Sequence, residues 1–192
     1  TVYAKWTPAQ VEYKIVYMIE NADDDGYSYL ATVTKTAETD SSLKMTAQTA
    51  GEDGTRPDEL DTTNFTFKDS TEETIKADGT TTIIVRYSRN VYTLQGRNGN
   101  SNLSVTLSAK YGANITSQWN TTFGAQDSGN TSYSWSYNNQ NNSKFKSLNI
   151  MPSLSVRTNN SPANTIYLYR HSDTASYYQE LNYWLQNYES NT

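Results

Sequence analysis

The sequence predicts a mainly β fold of the α+β class, with short helices and more than one module. Three observations carry this. Several segments alternate apolar and polar residues with period two, the pattern of strands that bury one face. The composition suits such strands: 16 tyrosines and abundant threonine fit a pleated, half-buried surface, and asparagine, serine and glycine supply the turns. A disordered linker of this polarity would lack that aromatic load. The third observation is internal likeness. T-V-Y-A-K-W at 1–6 matches T-I-Y-L-Y-R at 165–170, and I-V-Y-M-I-E-N at 15–21 matches L-N-Y-W-L-Q-N at 181–187. The spacing, on the order of 165 residues, is far beyond the 20–50 of solenoids, so whole domains in tandem are expected.

Taken in order, a short strand is expected at Val2–Trp6, stopped by Pro8. Tyr13, Ile15, Tyr17 and Ile19 then form one apolar face of a second strand. Asn21–Gly26 is turn chemistry, and Tyr27–Lys35 returns as the hairpin partner. The polar stretch 37–64 reads as loops around a short strand or helix, and Phe65 and Phe67 mark another strand. Residues 75–87 read as a hairpin, with Asp78-Gly79 at its tip. A new unit begins near Arg89/Asn90. Tyr92 and Leu94 lead into a turn at Asn98-Gly99, and Leu103, Val105 and Leu107 alternate in the returning strand. Ile115 and Trp119 share a helical face, with Asn114 or Thr116 placed to cap the helix start. Tyr133, Trp135 and Tyr137 alternate with serines, an Asn-rich loop spans 138–142, and strands are read at 145–151 and 166–169. Residues 177–189 fit both a helix and a strand; the likeness to 15–21 selects the strand.

The 192 residues suffice for one large or two small cores. With no cysteine, disulfides and thiol chemistry are excluded. A net charge of -5 without a basic stripe argues against nucleic acid as partner. No apolar run approaches the length of a membrane span.

The residues favour binding over catalysis, and neither a catalytic residue nor a cofactor is expected. His171 is the one histidine; it reads as a solvated linker residue, and there is no G-x-S-x-G elbow to supply a nucleophile. Zinc would need clustered His and Cys ligands. Asn21, Asp23, Asp25 and Gly26 resemble the front of a calcium loop, but Thr32 stands where a bidentate Glu belongs, so hairpin chemistry is the better reading. A Lys–Asn isopeptide staple has no diagnostic spacing here. The candidate ligand site is aromatic: Trp119, Tyr133, Trp135 and Tyr137, with Asn138 and Asn139 beside them for amide hydrogen bonds. Such rings bury large areas while freezing few torsions. The competing reading is that this face is the core side of a sheet, since tryptophan is highly buried on average.

The motifs also carry a family resemblance. Y-A-K-W-T-P (3–8) resembles the closing strand of an InlB B-type (Listeria–Bacteroides) repeat. Y-K-I-V-Y-M-I-E-N-A-D-D-D-G-Y (13–27), through T-I-K-A-D-G-T-T-T-I-I-V-R-Y at 74–87 and on to 94, resembles the MucBP-like repeats of Firmicute surface proteins. Residues 94–170, with K-Y-G-A-N-I-T-S-Q-W, a late M-P and Y-L-Y, resemble a second InlB B-like unit. The resemblance divides the chain into 1–11 (end of a preceding repeat), 12–93, 94–170 and 171–192 (start of the next). It implies tandem β-grasp-like modules, each a mixed sheet with one crossing helix. It further implies a monomeric stretch of a long wall-attached or secreted adhesin. The expected partner is a host glycan or glycoprotein, the alternatives being an immunoglobulin-type host protein or a spacer role with no ligand.

Overall fold

The alternation at 10–20 builds β1 (Gln10–Glu20), whose Tyr13, Ile15 and Tyr17 are buried. The computed structural model describes residues 7–52, 54–127, 131–140, 142–157 and 161–174. The strand expected at Val2–Trp6 and the 177–189 segment lie outside these. β1 turns through 21–26 into β2 (Tyr27–Glu38), paired antiparallel. The ladder slips once: Tyr17 faces Ala31 while Met18 faces Tyr29, and the extra residue, Leu30, packs against the core. That bulge puts Tyr29 on the outer face.

The 37–64 stretch holds β3 (Ser42–Lys44) and the single-turn α1 (Ala47–Gly51), which is closed by reciprocal Thr46–Thr49 capping. β4 (Phe65–Ser70), β5 (Glu72–Thr74) and β6 (Thr82–Arg89) follow. The first sheet has the order β2-β1-β6-β4, with β1 and β6 parallel; β3 and β5 form a separate two-stranded arm. The tyrosine hydroxyl at the centre of this core is satisfied: Tyr17 donates to the carbonyls of Ala50 (3.0 Å) and Thr55 (2.9 Å).

The hairpin expected over 75–87 is corrected. The turn exists, with Gly79 at φ +71° and the Asp78 carboxylate accepting from Thr80. Its arms do not pair, however: β5 pairs with β3, and β6 inserts between β1 and β4. Ile83, Val85 and Tyr87 are buried there, which pairing with short, polar β5 could not achieve.

Asn90 alone separates β6 from β7 (Val91–Asn98), so the change of unit read near Arg89/Asn90 falls between two sheets, and residue 93/94 lies inside β7. β8 (Ser101–Lys110), α2 (Thr116–Thr122), β9 (Thr131–Ser136) and β10 (Thr165–Thr174) complete the second unit. The side-chain oxygen of Asn114 accepts the Thr116 N–H (3.0 Å) at the start of α2. The sheet order is β8-β7-β10-β9, with β7 and β10 parallel. Residues 145–151 form no strand; isolated bridges join Phe145 to Trp135 and Ile150 to Asn114.

Both units thus share one topology: a hairpin, a short helix, an edge strand, and a last strand inserted parallel to the first. This is a β-grasp-like mixed sheet, present twice. Each has its own core, one around Ile15, Tyr17, Ile75 and Ile83, the other around Leu94, Ile115, Trp119 and Trp135. Among the described residues no helix is long and apolar enough to cross a membrane.

Candidate functional site

The aromatic platform expected at 119–139 is not a surface. Trp119 and Trp135 are each 1% exposed. Phe123 stacks on Trp119 (4.8 Å between centroids) and meets Trp135 edge-on (4.9 Å), and the Trp119 indole N–H donates to the Lys146 carbonyl (3.0 Å). The physical reason is the cover over this face: Trp119 of α2 and Phe123 at its end pack onto the Trp135 ring. Tyr133 is half-buried under the Arg170 guanidinium (4.4 Å), and Tyr137 packs on Phe145 (5.1 Å), where burial raises its phenol pKa. Asn138 turns its side-chain oxygen to the Gln140 N–H (3.0 Å), and Asn139 stands exposed beyond it. The six residues do not share one accessible face.

His171 is no solvated linker. It lies in β10 opposite Ser134, half-buried, with Nε2 2.8 Å from the Ser136 hydroxyl. Burial, with Lys144 nearby, lowers its pKa. Asp173 accepts from Ser134 (3.0 Å) and pairs with Lys144 (3.1 Å) and Lys146 (3.4 Å). Ser136 is 1% exposed and its hydroxyl bonds the Asn138 carbonyl, so these groups fasten the loop after β9 to the sheet.

The acidic turn has the most organised polar geometry. Asp24 closes it, accepting from the Asn21 amide (2.8 Å) and the Gly26 N–H (2.6 Å); those hydrogen bonds hold its carboxyl below the ordinary value. The other acids reach the second unit. Asp23 accepts the Asn114 N–H (2.7 Å). The Lys110 ammonium meets Glu20 (2.8 Å), Asp25 (3.3 Å) and the Asp24 carbonyl (3.0 Å). Glu20 also accepts the Arg89 N–H (2.9 Å). Burial pushes the Glu20 carboxyl up, but the Lys110 and Arg89 hydrogen bonds outweigh it and hold the group below its ordinary value. Hairpin chemistry is thus what the turn displays, and among the described residues no group of three or more His, Asp or Glu is placed to hold a metal.

Arg89 completes this joint. Its guanidinium donates to the carbonyls of Glu20 (2.6 Å) and Tyr111 (3.0 Å) and lies over the rings of Phe65 (4.9 Å) and Tyr111 (5.9 Å). Gly112 has φ +77°, and a Cβ there would sit 2.9 Å from Arg89 Nη1, so only glycine fits the corner. Tyr92 donates to Asn64 Oδ1 (2.9 Å), which also takes the Ser153 hydroxyl (3.0 Å). Even the connecting residue is pinned: Asn90 N–H donates to the Asn64 carbonyl (2.9 Å), and its own carbonyl accepts from Tyr111 (2.8 Å).

Exposed aromatics do exist, but on the outer face of the first sheet. Tyr29 is 63% exposed and neighbours Met18, which neighbours Arg86. Tyr27 receives a hydrogen bond from Lys68 (2.7 Å), and Arg86, held to Asp69 (2.6 Å), lies 5.8 Å from its ring. The signal for this face was the Tyr27-x-Tyr29 alternation; the bulge at Leu30, which sets its direction, has no signature of its own.

No protein-family description matches the chain, and a search of curated proteins finds no significant match.

Proposed function

We propose that the chain is a non-catalytic, stiff two-unit segment of a bacterial adhesin, wall-attached or secreted, of the MucBP-like and InlB B-repeat kind. Its work in this reading is to hold neighbouring units of an array at a set angle and distance. The observation that supports it is the joint. A one-residue connection, two pinned backbone groups and a buried-edge ion pair leave little freedom between the sheets. The two units also share one topology, as expected of a repeated element. Nuclear magnetic relaxation of the whole chain tests the reading: both units should report a single rotational tensor. Two independent correlation times would sink it.

A second reading, engagement of a host glycan or glycoprotein, rests on the outer face of the first sheet, where Tyr29, Met18 and Ile84 interrupt what would ordinarily be a polar surface. A glycan array probed with the chain and with Tyr29→Ala decides it. Binding lost in the variant supports the reading, and no binding by either protein removes it.

A further inference from the structure

We propose that the groove between β2 and the β3–α1 arm receives an extended, acidic polypeptide segment, which adds to the free edge of the first sheet as an extra strand. Among the described residues β2 is the outermost strand of its sheet, 12 residues long and paired only with β1. From Ala31 to Glu38 its ladder is unbroken, so its far side offers a regular row of backbone donors and acceptors. The edge is thinly defended: from Ala31 to Glu38 there is no proline, and the exposed Thr32, Thr34 and Thr36 are β-branched and uncharged. Its charges are Lys35, on the side of buried Tyr13, and the terminal Glu38, and the lysine is a defence that an acidic partner would neutralise. The other edges are blunted. β4 has six residues and a bulge, β8 is distorted opposite Gln95–Arg97, and β9 is occupied by Phe145.

Beside the open edge lies a groove of about 430 Å³, running from Tyr13, Lys35 and Thr36 on the sheet to Lys44, Met45 and Glu52 on the arm. Strand addition uses main-chain hydrogen bonds for affinity and adjacent pockets for alternate side chains, and this groove stands where those pockets are needed. Its charge names the occupant. Two ammonium groups face one carboxylate, and among the described residues neither Lys35 nor Lys44 has an ion-pair partner. In a chain of net charge -5 this lining carries a net positive charge, centred on Lys35, since Lys44 stands opposite Glu72 in the β3–β5 ladder. Acidic side chains would meet the two lysines, and apolar side chains on the same face of the added strand, two residues away, would reach Tyr13 and Met45.

The experiment is to pan a library of random peptides, matched to the 12-residue length of β2, against the whole chain. Enriched peptides should carry acidic and apolar residues two positions apart, on the one face turned to the groove, and slow amide exchange from Ala31 to Glu38. The Lys35→Glu, Lys44→Glu double variant, with an unchanged melting temperature as its folding control, should weaken them about tenfold or more, whereas Lys68→Glu on the outer face should not. The proposal is overturned if nothing is enriched, if the selected peptides leave β2 unprotected, or if they survive the charge reversal. Concentration-dependent dimerisation that protects the same amides without a preference for acidic peptides would assign the edge to a second copy, and so overturn it too.

Discussion

Replacing Lys110 with methionine keeps the length of the side chain and removes the cation at the joint. In the native joint the ammonium lies 2.8 Å from Glu20, whose side chain is 14% exposed. Asp25, fully in solvent, is screened and contributes little. The variant leaves Glu20 with the Arg89 N–H and only the weaker attraction of the Lys68 ammonium. A partly buried carboxylate stripped of its partner costs about 1–3 kcal/mol, above the range for exposed pairs and at the lower edge of that for fully buried ones. Charged to the joint alone, this shifts the balance of closed over open forms by roughly 5- to 150-fold. The absence of native cysteine allows clean labelling: Thr32→Cys and Ser104→Cys, both exposed, place one spin label on each sheet. Electron–electron distance measurements should give a narrow distribution in the native background and a broad one in Lys110→Met. The pH dependence has a definite sign. Because the Glu20 carboxyl is held below 4.5 when the joint is closed, its contribution is complete above about pH 4.5 and is lost as pH falls through the lower folded value. Native joints should therefore broaden only in acid. An equally narrow distribution for Lys110→Met at neutral pH would refute the reasoning and leave the joint to Asn64, Tyr92 and the backbone.

Three further outcomes follow from the cores and the loop. Trp135→Ala should cost about 3–5 kcal/mol in urea titration, because a fully buried indole leaves a cavity against Phe123 and Trp119; a change within error would mean the ring is not packed. Tyr17→Phe should cost about 1–3 kcal/mol by the same assay, since the Ala50 and Thr55 carbonyls lose their buried donor; a neutral result would show water reaching them. His171 has a folded pKa below 6.5, so its neutral form contributes stability that is full above about pH 6.5 and lost as pH falls through the folded value. His171→Gln should flatten thermal stability across that window, and an unchanged slope would count against the burial of the imidazole beside Lys144.

What could be read from the sequence was what depends on neighbours along the chain. Tyr13, Ile15 and Tyr17 declare a strand with one buried face, and they are buried. Asn98-Gly99 and Asp78-Gly79 declare turns, and both glycines have positive φ. Partners could not be read. Tyr133, Trp135 and Tyr137 have one period whether they face water or α2, and only Phe145 and Phe123 decide it. Residues 75–87 look like a hairpin because alternation says nothing of which strand lies alongside; β6 found β1, nearly 70 residues upstream in register. The joint is the extreme case, since Asp23 meets a backbone N–H 91 residues away. The polar neighbours of His171 point to solvent, yet strand pairing lays it against Ser136.

In each unit the first and last strands lie side by side and run the same way: β1 beside β6 from Lys14/Thr82 to Ile19/Tyr87, β7 beside β10 from Thr165/Thr93 to Tyr169/Arg97. The polypeptide therefore comes in at one end of the sheet and leaves at the other. Tension applied along the chain drags these two strands past each other lengthwise, loading their hydrogen bonds together instead of peeling them one by one. Such a load meets its stiffest resistance at the centre of each sheet, in a chain with no cysteine to share it through a disulfide.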